Sequence, residues 1–233
     1  MNVKGKRVLI FGDSLTHRGA DDAPRDVIVN DQDVSRDSSP GDLLGSWLLV
    51  AGATAVRLHA KIGRSANNFW SNWEPDHDEV IQSLQSWQPD IVIVFLGTND
   101  LGLAMSVDGP KMAKIRDAFL TVGAEVWCIG PPSFSDIHLA ALTPAVVAME
   151  RAVFGGKFID SRPLTATILS PAEGRARDGV HFTQDGAVKY AIGLARSLSL
   201  GEVSYIGPII AGVVIIGGFV GYWLFNRRRR QPR

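Results

Sequence analysis

The chain has 233 residues, enough for one sizeable domain and an appendage, and 45% of them are apolar, so it can bury a core and is not disordered. Its formal charge is zero, yet five of its 24 basic residues are Arg227, Arg228, Arg229, Arg230 and Arg233, and no acid follows Glu202. Residues 1–204 therefore hold the remaining 19 basic side chains against 24 acidic ones, a net of −5, which excludes a broadly basic nucleic-acid-binding surface.

Lys4, Lys6 and Arg7 precede the apolar run Val8-Leu9-Ile10-Phe11. That run is too short for the roughly 7–15 residues of a secretory signal, so it reads as a first strand. Gly12-Asp13-Ser14-Leu15 follows it directly, and this join sets a hydroxyl at the end of a buried strand. The segment from His17 to Pro40 is polar, with six Asp and three Arg, and reads as a loop (17–40) of lid length.

Leu43, Leu44, Trp47, Leu48 and Ala51 then repeat at helical spacing before Gly52. Val56–Ile62 is the second strand, and Val80, Ile81, Leu84 and Trp87 form the next helical pattern before Pro89. Ile91–Leu96 and Val126–Ile129 are nearly continuous in apolar residues, as strands covered on both faces are. Between them Met112, Ile115, Phe119 and Val122 precede Gly123. Cys128 stands alone in its strand, so it forms no intramolecular disulfide and no zinc-binding spacing, and it reads as a small core residue. Val146, Val147, Met149 and Val153 precede Gly155-Gly156, a short strand Phe158-Ile159 follows, and Ala187, Tyr190, Ala191, Leu194 and Leu198 form the last helix. Strands alternating with helices predict a three-layer α/β/α domain over residues 1–200, with a parallel five-stranded sheet.

Residues 201–204 read as a linker. The stretch 205–226 carries no charge, and Ile206-Phe225 is almost wholly apolar, long enough as a helix to cross a bilayer core of about 30 Å. Tyr205, Tyr222 and Trp223 suit its two interfaces, and the basic tail 227–233 follows. A single-pass membrane helix is the expectation, with a slight lean to a cytoplasmic catalytic domain because Met1 runs straight into the first strand. Gly217-x-x-x-Gly221 offers a face for helix-mediated homo-oligomers.

In an open parallel sheet, ligands bind outside the carboxyl ends of the strands. Ser14 follows the first strand, Gly63 the second, and Gly97-Thr98-Asn99-Asp100 the third. Asp178-Gly179-Val180-His181 precedes the last helix, with a spacing that lets the carboxylate bond the imidazole. A serine becomes a nucleophile when an imidazole takes its proton, and the tetrahedral oxyanion needs preorganised N–H donors. The backbone N–H groups of Ser14 and Gly63 and the side-chain amide of Asn99 are candidate donors.

These four blocks, in this order, resemble those of the SGNH (GDSL-type) hydrolases, and the resemblance covers about residues 6–199. It implies a flavodoxin-like fold, Ser14 as nucleophile, His181 as base, Asp178 as its orienting acid, and Ser14, Gly63 and Asn99 as the oxyanion hole. The family acts without a metal or cofactor on esters and some thioesters, including lipids, acetylated sugars and small acyl groups. His17 stands where many relatives carry an acid, and Ala66 where many have a second glycine; neither change removes a catalytic group. His17, Asn67 and Trp70 are candidate substrate-lining residues. A solvated loop position is the plainer role for His17, and packing is the plainer role for Trp70. Asp100 is expected to hold the Asn99 loop. The expected function is a membrane-anchored serine esterase acting on a lipid, lysophospholipid or small acyl ester. A carbohydrate O-acetyl esterase is the alternative, and a non-catalytic anchored binding protein of the same fold is the rival from another class.

Overall fold

The computed structural model describes residues 1–16, 25–26, 39–71, 77–102 and 105–200. The chain divides into two units, Met1–Gly201 and Glu202–Arg233. The expected linker, membrane helix and basic tail, His17 and most of the polar loop lie outside the described residues.

Among the described residues six strands form one sheet: β1 (Arg7–Gly12), β2 (Arg25–Asp26), β3 (Ala55–Ala60), β4 (Ile91–Phe95), β5 (Glu125–Ile129) and β6 (Phe158–Ile159). Their order is β2-β3-β1-β4-β5-β6, and every pairing except β2 with β3 is parallel. The five expected parallel strands are present. The sixth corrects the reading of 17–40 as loop throughout, since Arg25 and Asp26 pair antiparallel with Leu58 and Arg57. Arg57 Nε holds Asp26 Oδ1 at 2.6 Å there, a polar pairing that no apolar alternation announces.

Both faces of the sheet are covered, which explains why β4 is apolar at every position and β1 at every position after Arg7. Val8 and Ile10 of β1 and Ile91, Ile93 and Phe95 of β4 point to one core. That core is closed by Leu44 and Leu48 of α1 (Pro40–Val50) and by Ala187, Tyr190 and Leu194 of α7 (Gln184–Ser197). Leu9, Phe11, Val92 and Val94 point to the opposite core. There they meet α2 (Ala66–Phe69), α3 (His77–Ser86), α4 (Met105–Leu120) and α5 (Ile137–Phe154) through Phe69, Leu84, Ile115 and Met149. The period of two along each strand sorts its side chains between the cores. A short α6 (Arg162–Thr165) links β6 to the segment before α7. Helices α2 and α6 have four residues each, too few to show an apolar period in the sequence.

Several elements end where local chemistry requires. Strand β3 stops at Ala60, short of the expected Ile62: Arg64 N–H donates back to the Lys61 carbonyl at 3.2 Å, which closes a turn, and Ile62 is 59% exposed. Helix α5 starts at Asp136, whose carboxylate accepts the N–H groups of His138 and Leu139. The first residue and the last helix meet: the Met1 ammonium donates to the Leu198 carbonyl at 2.9 Å.

Helix α7 packs closely on the turn that precedes Asp178. A Cβ added at Gly186 would overlap the Gly174 carbonyl. Gly186→Ala is therefore expected to cost about 1–3 kcal/mol as overpacking. Urea unfolding checks it: the midpoint falls while the slope stays constant.

Candidate active site

The Gly12-Asp13-Ser14 turn leaves β1 at the carboxyl edge of the sheet. A Cβ at Gly12 would overlap Thr16 Oγ1 and the Phe95 carbonyl oxygen, so the turn is that tight only with glycine. The buried Asp13 carboxylate accepts Leu15 N–H at 2.8 Å, and Thr16 N–H bonds the Asp13 carbonyl at 3.0 Å. The Ser39 hydroxyl, just before α1, donates to the Ser14 carbonyl at 3.3 Å. Ser14 is thus tied both to its own turn and to the start of α1, and it is 9% exposed.

His181 comes to Ser14 from the far end of the chain. Its Nε2 lies 2.8 Å from Ser14 Oγ, and its Nδ1 lies 2.7 Å from Asp178 Oδ2. The other carboxylate oxygen, Asp178 Oδ1, accepts the N–H groups of Val180 and His181, each at 2.9 Å. One carboxylate therefore both shapes the turn and orients the ring. Desolvation pushes the Asp178 carboxyl up, but the imidazole and the two backbone N–H groups outweigh it and hold it below its ordinary range. Asp178 stays ionised at neutral pH, the state that fixes a proton on His181 Nδ1 and leaves Nε2 free to accept the Ser14 proton.

Gly63 has φ +74, the left-handed region that favours glycine. Asn68 braces it: Asn68 Nδ2 donates to the Gly63 carbonyl at 2.8 Å, while Asn68 and Ser65 exchange bonds in a capping box at the start of α2. The backbone N–H groups of Ser14 and Gly63 donate to no protein acceptor among the described residues, so both are free for an oxyanion. Asn99 differs. Its amide donates to the Arg64 carbonyl at 3.0 Å and to Asp13 Oδ2 at 3.2 Å, so an oxyanion at this amide must share or displace one of them.

Asp100 does more than hold its own loop. Its Oδ1 accepts the N–H of Ala66 at 2.8 Å and of Asn67 at 3.4 Å, which ties the Asn99 turn to the segment that carries Gly63. Asn67 Oδ1 accepts from Lys111 Nζ. Trp70, a candidate substrate-lining residue whose plainer role is packing, sets its ring against Phe69 and His77 at centroid distances of 5.2 and 4.6 Å, with Lys114 Nζ 5.5 Å from the ring. Sequence reasoning missed Asn68, Arg64, Glu150 and Arg175. The signal for Asn68 was available as Ser65-x-x-Asn68, a capping-box spacing; Glu150 and Arg175 sat in unremarkable stretches.

Three acids lie buried beneath these loops. Burial, with Asp100 adding repulsion and Leu15 N–H opposing it, pushes Asp13 up to about 7. Burial and Asp108 push Asp100 up to about 7 despite the N–H groups of Asn67 and Ala66. Glu150, on α5, is pushed well above its ordinary range by burial and by Asp100 and Asp13. Its Oε1 and Oε2 fill the places of the missing Cβ atoms of Gly97 and Gly130, at 2.5 and 2.9 Å. Gly97 is also left-handed, with φ +102, so an alanine there would be both strained and blocked.

Carboxyls with raised pKa values bind more protons folded than unfolded, so their stabilisation is full below about 4 and is lost as pH rises through about 7. Lowering the pH from 8 to 5.5 is therefore expected to raise Tm by about 5 °C. Asp13→Asn with Asp100→Asn should flatten that dependence in a calorimetric pH series.

No curated protein is similar enough in sequence to be matched. Among solved structures, Axe2, an acetylxylan esterase from Geobacillus stearothermophilus, is 16% identical with a TM-score of 0.63, over 89% of this chain and 100% of that one. LAE5, an α/β hydrolase enzyme from the metagenome of Lake Arreo, Spain, is 16% identical with a TM-score of 0.62, over 86% of this chain and 98% of that one. At this identity the likeness is one of fold. The profile of the GDSL-like lipase/acylhydrolase family matches residues 10–189, most of the chain, a range within which Ser14, Gly63, Asn99, Asp178 and His181 all fall. The chain belongs to the GDSL-like lipase/acylhydrolase family, the SGNH hydrolases, and is an ester-hydrolysing serine hydrolase.

Proposed function

We propose that Ser14 is the nucleophile of this esterase, His181 its general base and acid, and Asp178 the acid that orients His181. The observation that carries this reading is the unbroken run of hydrogen bonds from Ser14 Oγ through His181 to Asp178, at 2.8 and 2.7 Å. Ser14 Oγ attacks the ester carbonyl as its proton passes to His181 Nε2, and the carbonyl oxygen becomes an oxyanion. The N–H groups of Ser14 and Gly63 bond that oxyanion, and Asn99 contributes its amide by releasing Asp13. The tetrahedral intermediate collapses, the alcohol leaves with the proton from His181, and the acyl group stays on Ser14. Water then attacks the acyl-enzyme with His181 as base, and the carboxylic acid is released.

The substrate we propose is a small acyl or lipid ester, with the chain held at a membrane by a single helix over Ile206-Phe225. The uncharged length of that segment and the arginines behind it support the anchor. A carbohydrate O-acetyl ester is the second reading, favoured by the acetylxylan esterase among the structural neighbours. The openness of the site fits either leaving group: the side chains of His181 and Asp178 are 31% and 52% exposed, so an alcohol of considerable size can depart on that side.

Ser14→Ala and His181→Ala should each lower kcat on 4-nitrophenyl acetate by at least about 10⁴-fold. Rates equal to wild type in either variant would remove that residue from the mechanism. A panel of 4-nitrophenyl butyrate, a lysophospholipid and acetylated xylan then separates the two substrate readings by kcat/KM. For the anchor, the full chain should stay with the membrane fraction through carbonate extraction; release into the supernatant would refute it.

A further inference from the structure

Arg175 is 1% exposed and makes no ion pair among the described residues. A buried cation without a carboxylate is costly unless its donors are satisfied. Here three backbone carbonyls from three segments take one N–H from each of its three nitrogens, three of the five donors. Nε donates to Ile168 at 2.9 Å, one terminal nitrogen to Val180 at 2.9 Å, and the other to Ser133 at 2.5 Å. The Phe182 ring lies 4.0 Å from the guanidinium carbon. Burial lowers the guanidinium pKa to about 10, which leaves it cationic at neutral pH.

The far side of this clamp is itself fixed. Ser133 N–H bonds Thr165 Oγ1 at 2.8 Å, and the Ser133 hydroxyl bonds the Arg162 carbonyl at 3.0 Å. The near side is the peptide unit that joins Val180 to His181. Its carbonyl accepts from Arg175, and its N–H, that of His181, donates to Asp178 Oδ1. The plane of this one peptide is therefore held from both sides. Rotating it would swing the His181 ring away from Ser14.

We propose that Arg175 is a positioning residue for His181: it grips the Val180–His181 peptide against the Asp178 carboxylate and so keeps the imidazole in line with Ser14. The planar fork of arginine reaches three carbonyls in fixed directions, whereas a lysine ammonium on a flexible stem cannot hold all three. This assignment rests on His181 being the general base.

The test compares the full chain with Arg175→Met and Arg175→Lys, each assayed at a temperature where circular dichroism shows it folded. Arg175→Met should lower kcat on 4-nitrophenyl acetate by about 10–100-fold, with KM within about threefold, because small misplacements of a reacting group cost about that much. Its low-field proton resonance, from the His181 Nδ1 proton shared with Asp178, should shift or vanish. Arg175→Lys should recover part of both. Wild-type kcat and resonance in Arg175→Met, with only Tm lowered, would make Arg175 a support of the fold alone and overturn the proposal; loss of fold in both variants would do the same. If the wild type hydrolyses no faster than Ser14→Ala, the mechanism fails separately, and the resonance still decides whether Arg175 holds the ring.

Discussion

Everything in this molecule depends on one contact, between Ser14 Oγ and His181 Nε2, which joins points 167 residues apart in the chain. The parallel sheet makes it achievable. Gly12 is in register with Ala60 of β3 and with Phe95 of β4, so the three strands end at one level. Ser14, Gly63 and Asn99 follow those ends by two to four residues and leave the sheet side by side. His181 cannot arrive by this route, because it follows no strand of the sheet. It is delivered by a turn built on itself: Ala176 N–H bonds the His181 carbonyl at 2.8 Å, and Thr183 N–H bonds the Gly174 carbonyl at 2.8 Å.

The loops at this edge are held by groups that are expensive to bury. Asp13 spends both oxygens, on Leu15 N–H and the Asn99 amide, while Asp100 spends Oδ1 on the N–H groups of Ala66 and Asn67 and leaves Oδ2 without a partner among the described residues. The desolvation they suffer opposes folding, and Glu150 adds a third acid whose oxygens meet no hydrogen-bond partner among the described residues. Such local conflicts gather where function, and not stability, sets the requirement. Nearby cations moderate the conflict. The Arg64 guanidinium lies over Phe11 at 4.7 Å and lowers the pKa of Asp13.

The sequence made the architecture readable because two-sided burial writes itself as unbroken apolar runs. Val8–Phe11, Ile91–Leu96 and Val126–Ile129 gave the strands to within a residue or two. Ser14, Asp178 and His181 stood out as candidates because one stands at such a strand end and the other two lie three residues apart on a turn. What escaped was anything carried by a single side chain acting over a long range. Glu150 lies near the carboxyl end of α5, a largely apolar helix, and only folding sets it beneath Gly97 and Gly130. Arg175 reads as one more basic residue among several near Asp178. The two-residue strand Arg25–Asp26 escaped because it pairs through charge and backbone, with no apolar face to impose a period. Trp70 follows Gly63 closely in sequence, and its ring contacts with Phe69, His77 and Lys114 accord with packing, the plainer of its two roles.

The bond between the Met1 ammonium and the Leu198 carbonyl has a geometric corollary. Helix α7 starts beside the catalytic turn and runs back across the sheet for 14 residues, about 21 Å at 1.5 Å per residue. Both ends of the domain therefore meet at the amino edge of the strands, the pole opposite the chemistry. A fusion partner or solid support joined at either end leaves the nucleophile facing outward and unobstructed. The same closeness would let residue 200 of this domain be linked to Met1 and new ends opened in a surface loop, giving a circularly permuted hydrolase domain with its reactive edge intact.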